Sequence, residues 1–224
     1  MTNLDKLLSE RFSTRAYLPK PVSETLVKEL LAVAGKSASG GNMQPWNTYV
    51  LANAEKDNLT AAINNEISAG KMKDDDGVSS YPENLKSPYR ERRYECGMAL
   101  YDALGIDRAD KVRRKSQWQE NYNFFGAPVG LIFTLDTQMG APQYIDLGIY
   151  IQSVMLTAQD MGLNTCAQRS WSIWPSTCAK ALSLPDEERV VVGMALGYGD
   201  MSAPINHYRV SRAATEETCV FRGF

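Results

Sequence analysis

Apolar positions recur at helical spacing early in the chain. Leu4, Leu7 and Leu8 predict a helix over residues 3–10 that gives out at Arg11. After Pro21, the stripe Leu26, Leu30, Leu31 and Ala34 predicts a second helix. Ser23 is placed to cap it, Val22 and Val27 to form a hydrophobic staple, and Gly35 to end it. Residues 47–51 read as a strand and residues 55–69 as a helix. Two more helices are predicted over 89–104 and 108–122, broken by Gly105. Residues 129–135 form the continuous apolar run of a buried strand. A short helix near 176–182 and a strand over 190–196 complete the core.

Three segments depart from this regularity. Residues 143–161 read as a helix with apolar side chains on nearly every face, including Ile145, Ile149, Val154 and Met155, which predicts the centre of the domain or a subunit interface. Residues 70–86 are polar, with Gly70, Asp74, Asp75, Asp76, Gly77 and Pro82, and predict an exposed, mobile excursion or a lid. Residues 203–224 lack a helical period yet carry Tyr208, Val210, Val220, Phe221 and Phe224, so the tail is expected to pack along a neighbour. About three strands among six or seven helices place the chain in the α+β class, a small sheet wrapped by helices.

A length of 224 residues suits one domain spanning 1–224. With 24 basic and 26 acidic residues there is no charge bias toward nucleic acid. The longest apolar stretches fall short of a membrane span, and the N-terminus lacks a leader pattern, so a cytoplasmic address is expected. The four cysteines, Cys96, Cys166, Cys178 and Cys219, form no Cys-x-x-Cys pair, and His207 is the single histidine. Neither a metal cluster nor a His-based triad is predicted, so redox chemistry here would need a borrowed cofactor.

Two segments have the composition of a ligand site. In Arg11-Phe12-Ser13-Thr14-Arg15, extended backbone would project residues 11, 13 and 15 to one face. Two guanidinium forks and a hydroxyl there match the oxygens of a phosphomonoester, although two solvated surface arginines would read the same way. The loop from Ser37 to Trp46 offers small residues for close approach, with Ser39, Asn42 and Gln44 as neutral hydrogen-bonding groups. Trp46 reads as a packing anchor and Cys166 as a small buried hydrophobe. The run Arg90, Glu91, Arg92, Arg93, Glu95 has the look of a solvated helix face, or of a patch that recognises a substrate carboxylate.

Taken together, Arg-x-Ser-x-Arg followed about two dozen residues later by Ser-x-x-Asn-x-Gln-Pro-Trp resembles the opening of the FMN-dependent nitroreductase family. Phe124-Phe125-Gly126-Ala127-Pro128-Val129, Asp146-Leu147-Gly148 with Gln152 and Gly162-Leu163, and Gly197-Tyr198-Gly199 followed by Arg209 and Arg212 continue the resemblance over essentially the whole chain. It implies a nitroreductase-like fold with a small mixed sheet in an intertwined homodimer. FMN would be the cofactor and NADH or NADPH the reductant, in ping-pong reduction of nitroaromatic or related small acceptors. A dehalogenase or enone reductase on the same scaffold, or a flavin carrier without turnover, would share these motifs. Carried over by position, Arg11, Ser13, Arg15, Arg209 and Arg212 would surround the flavin phosphate and nearby polar atoms. Ser39 and Asn42 would meet the flavin of the partner subunit. Gln152, Ala167 and Gln168 would complete the flavin contacts. Read from the residues themselves, Phe124 and Phe125 could stack on an aromatic substrate, with core packing the better reading for at least one of them. No residue is assigned as acid, base or nucleophile, because the flavin carries the chemistry.

Overall fold

The computed structural model describes residues 2–224. The two N-terminal helices form where the stripes place them. Helix α1 (Asn3–Glu10) is capped by the Thr2 hydroxyl, which accepts from the Asp5 amide, and α2 (Glu24–Ala34) by Ser23, which accepts from Leu26. Next come β1 (Trp46–Ala52), α3 (Asn53–Ser68), α4 (Tyr89–Ala103) and α5 (Lys111–Gln119). A 3-10 segment (Glu120–Gly126) leads into β2 (Val129–Asp136), followed by α6 (Ala141–Asp160) and β3 (Asn164–Gln168). The chain finishes with α7 (Pro175–Leu182), β4 (Glu188–Gly197) and a one-turn helix, α8 (Thr215–Thr218).

The sheet has four strands in the order β1-β2-β4-β3, one more than the sequence pattern indicated. Strand β3 is the addition, and every strand pair is antiparallel. Parallel character enters only through an isolated bridge between Ser13 and Thr165, among the described residues.

Both faces of the sheet are covered, which explains the unbroken burial of β2. Leu131 and Phe133 of β2 meet Val27 and Leu30 of α2 and Leu147, Val154 and Ala158 of α6 on one face. On the other, Ile132 and Ala195 meet Leu59 and Ile63 of α3, Trp171, Trp174 and Cys178. The alternation along β2 follows from the two-residue period of a strand, with each inward residue meeting a different helical layer.

The segment 70–86 is an excursion without helix or strand, but it is pinned. Asp74 is buried, and its carboxylate accepts from the Thr177 amide at 2.7 Å and the Thr177 hydroxyl at 2.8 Å, in the first turn of α7. Val78 donates to the Ser172 carbonyl at 2.9 Å. A Cβ at Gly77 would lie 2.4 Å from the Ile173 carbonyl oxygen, so only glycine allows this approach. The mobile loop expected from composition is therefore a strap tied down by contacts about a hundred residues away in sequence. Asp74→Ala leaves buried donors unpaired and is expected to cost about 1–3 kcal/mol. The denaturation midpoint should fall, and limited proteolysis should open the strap between residues 75 and 87.

Candidate functional site

The segment after α1 is extended, as the alternation argument requires. Thr14 donates its amide to the Thr165 carbonyl at 3.0 Å, and Tyr17 bridges Gly199, so residues 13–17 lie along the sheet edge. Thr14 turns inward and is fully buried, while Arg11, Ser13 and Arg15 line a cavity of about 650 Å³. Gln152 reaches it from α6, and Arg209 and Arg212 reach it from the C-terminal tail. Five of the sequence-derived candidates for one phosphate pocket thus converge, with Gln152 beside them.

No carboxylate lines this cavity, and none of its four arginines takes part in an ion pair among the described residues. Burial pushes the Arg11 guanidinium down from its ordinary value, and the like charge of Arg212 adds to the effect. It remains a cation at any ordinary pH, so the cavity concentrates positive charge that only an anionic ligand would offset.

The arginines are held by neutral partners. Asn206 is buried, and its side-chain oxygen accepts from the Arg15 amide at 2.8 Å while its amide nitrogen donates to the Ala16 and Asp200 carbonyls, each at 2.8 Å. The Arg15 guanidinium donates to the Tyr208 hydroxyl and to the Ser13 carbonyl at 3.2 Å, and it lies 5.9 Å from the Phe125 ring centre. Arg209 stacks 3.9 Å over the Phe12 ring and donates to the Asn206 carbonyl at 2.8 Å. Asn206 and Tyr208 were not among the sequence candidates. Their signal lies only in the long-range return of the tail to Arg15, which no local pattern records.

A second cavity, of about 580 Å³, meets the first at Arg15 and Cys96. Phe125, Cys166, Ala167 and Gln168 line its inner part. Gln168 is buried and donates to the Asn121 carbonyl, yet its side-chain oxygen has no partner among the described residues. Burial pushes the Cys166 thiol up, outweighing the opposite pull of Arg15, which suits an inert packing residue rather than a nucleophile.

Of the two phenylalanines, Phe124 is the one that packs in the core, so its candidacy as a substrate contact does not hold. It is fully buried, stacks on Trp171 with ring centres 4.7 Å apart, and fills the space above Gly130, where a Cβ would lie 2.5 Å from its ring. Phe124 and Phe125 both adopt left-handed backbone, at φ 50° and 53°. Such geometry is uncommon for a bulky residue. Of the two rings, only Phe125 lines the cavity.

The sequence profile described as the nitroreductase family matches residues 8–198. The chain belongs to the nitroreductase family. Its relatives in that family include a 4-nitrobenzoate reductase from Pseudomonas putida, 36% identical over 99% of this chain and 96% of the relative. A nitrobenzene nitroreductase from Ectopseudomonas oleovorans is also 36% identical, over 97% of this chain and 96% of its own length. Among solved structures, the FMN and NADPH-dependent nitroreductase NfnB of sphigopyxis sp. strain HMH is 35% identical, with TM-score 0.96 over the full length of both chains.

In this nitroreductase-family chain, Ser39 and Asn42 stand apart from both cavities. The Ser39 hydroxyl accepts from the Gln44 amide at 3.0 Å, and the Asn42 carbonyl accepts from the Gln44 side chain at 3.0 Å. Their loop is fixed to α6, where the buried Asp146 carboxylate accepts from the Gly40 amide at 3.1 Å and the Ser37 hydroxyl donates to Ser153 at 2.7 Å. Asn42 is exposed. Within one chain, the loop therefore does not join the arginine cavity.

Proposed function

We propose that this nitroreductase-family protein is an FMN-dependent oxidoreductase that uses NAD(P)H to reduce nitroaromatic compounds. The observation that carries the reading is the carboxylate-free arginine cavity opening, at Arg15, into an aromatic-walled cavity lined by Gln168, whose buried side-chain oxygen has no partner among the described residues. A phosphorylated flavin has matching parts, a dianionic end and a polar heterocycle. Arg11, Ser13, Arg15, Arg209 and Arg212 would hold the phosphate end, while Gln152, Ala167 and Gln168 would meet the ribityl chain and ring edge. Bound flavin supplies the two-electron chemistry between NAD(P)H and the nitro group. The residues of this chain bind and orient it, keep one ring face open, and wall off water with Phe125, Trp118 and Leu100.

The partner's Ser39 and Asn42 complete the site in a homodimer. The exposure of that loop, with Met43, Ile145 and Ile149 beside it on exposed positions, supports this arrangement. The cytoplasm is the compartment that supplies the reductant.

Mixing the flavin-loaded protein with NADPH or NADH without oxygen is expected to bleach the flavin absorbance, and a nitroarene should restore it. Flavin that stays oxidised under both nucleotides would leave a carrier, and the oxidoreductase reading would fail.

A further inference from the structure

Outside the arginine cavity, the mouth of the aromatic-walled cavity carries a second concentration of positive charge. Arg93 of α4 and Arg169, the residue after β3, are both exposed at this mouth. The Arg93 guanidinium lies 3.9 Å over the Tyr81 ring, and that of Arg169 lies 5.9 Å from the same ring. Tyr81 belongs to the strap, whose Ser80 hydroxyl donates to the Arg169 carbonyl at 3.3 Å and whose anchor is the buried Asp74. The strap thus brings two guanidiniums from different elements onto one ring.

Neither charge is neutralised. The neighbouring Arg92 pairs with Glu217 at 3.2 Å, but Arg93 and Arg169 take part in no ion pair among the described residues, and no aspartate or glutamate lines this cavity. Further in, Tyr101, Trp118 and Phe125 offer flat apolar walls. Aromatic walls beneath an uncompensated basic mouth suit a ligand that is aromatic at one end and anionic at the other.

We infer that Arg93 and Arg169, presented by Tyr81, form an anion clamp that makes this protein selective for nitroarenes bearing a carboxylate over neutral nitroarenes. The inference rests on the nitroreductase reading of the site and names its acceptor class. A carboxylate para to the nitro group keeps the two groups at opposite ends of the ring, so the clamp would hold one end at the mouth while the nitro group points inward.

The 2′-phosphate of NADPH offers the same anionic chemistry, so the experiment separates the two sources. Wild type and Arg93→Gln/Arg169→Gln are compared for kcat/KM with 4-nitrobenzoate and nitrobenzene at fixed NADH, and then with NADPH against NADH at a fixed acceptor. The 4-nitrobenzoate to nitrobenzene ratio is expected to fall roughly ten- to a hundredfold, the effect of losing one charge-assisted contact. Arg93→Lys/Arg169→Lys should restore part of it. An unchanged acceptor ratio, or a change confined to the NADPH to NADH ratio, overturns the clamp as an acceptor determinant.

A second measurement does not depend on turnover. Benzoate and benzamide are titrated into the holoprotein by calorimetry, and wild type should prefer benzoate while the double variant should not. Equal preference in both proteins overturns the inference even where turnover is absent. Failure of the flavin to be reduced in wild type would count against the oxidoreductase reading alone.

Discussion

Replacing Arg11 and Arg15 together with alanine is expected to yield protein that is purified without its yellow colour. Each guanidinium in a charge-assisted contact with phosphate contributes about 1.5–3 kcal/mol, or roughly ten- to a hundredfold in affinity. Both face one cavity, so their effects are not strictly additive, and a combined loss of about a hundredfold or more is the expectation. The variant should still fold. Among the described residues Arg11 makes no ion pair that its removal would strand, and the backbone of Arg15 stays tied to Asn206 at 2.8 Å. Flavin fluorescence titration of the apoprotein reads the affinity, and circular dichroism reads the fold. A folded double variant that binds FMN as tightly as wild type would remove the phosphate assignment.

That prediction was open to sequence reasoning because the relevant signal is local. Alternation in an extended segment puts residues 11, 13 and 15 on one face, and the structure gives Thr14 the opposite, buried face. Helix α2 was equally legible, since its cap, stripe and stop lie within a dozen residues of one another. Strand β3 was not. Its sequence, Asn-Thr-Cys-Ala-Gln, is short and lacks branched apolar residues, and it becomes a strand by pairing with β4 at the sheet edge. The strap failed for a related reason. Asp74 sits in a run of acidic residues that reads as solvated, and only its pairing with Thr177 shows otherwise. Which of Phe124 and Phe125 packs in the core is not legible either, because adjacent aromatic residues look alike in sequence, whereas consecutive left-handed backbone sends one ring over Gly130 and the other to the cavity.

Ile149→Glu is expected to separate the proposed dimer and release its flavin in one step. The sequence pattern of α6 implied that a helix apolar on nearly every face needs cover on all sides, and the structure divides those faces. Leu147, Tyr150, Val154 and Ala158 are buried in the chain's own core, and Met155 packs against it. Tyr144, Ile145 and Ile149 are left outward, with Ile145 67% exposed. A charge at position 155 would therefore test folding rather than association, while a charge at 149 spares the core. In the tail, Val220, Phe221 and Phe224 are also exposed, with Val220 at 82%. Apolar area left wet costs about 25 cal/mol per Å², so these surfaces favour a partner. An obligate interface on the order of 2,000 Å² or more in total would cover them. A carboxylate buried there without a counter-charge costs about 3–5 kcal/mol, roughly a hundredfold or more in dimer dissociation for each copy. Because Ser39 and Asn42 lie on the loop fixed to this helix through Gly40 and Asp146, dissociation should also take away the partner's share of the flavin site. Sedimentation equilibrium at low micromolar concentration, read at the flavin wavelength, follows both quantities at once. A wild-type monomer that retains flavin and turns over would refute the shared site, and so would an Ile149→Glu protein that stays dimeric and yellow.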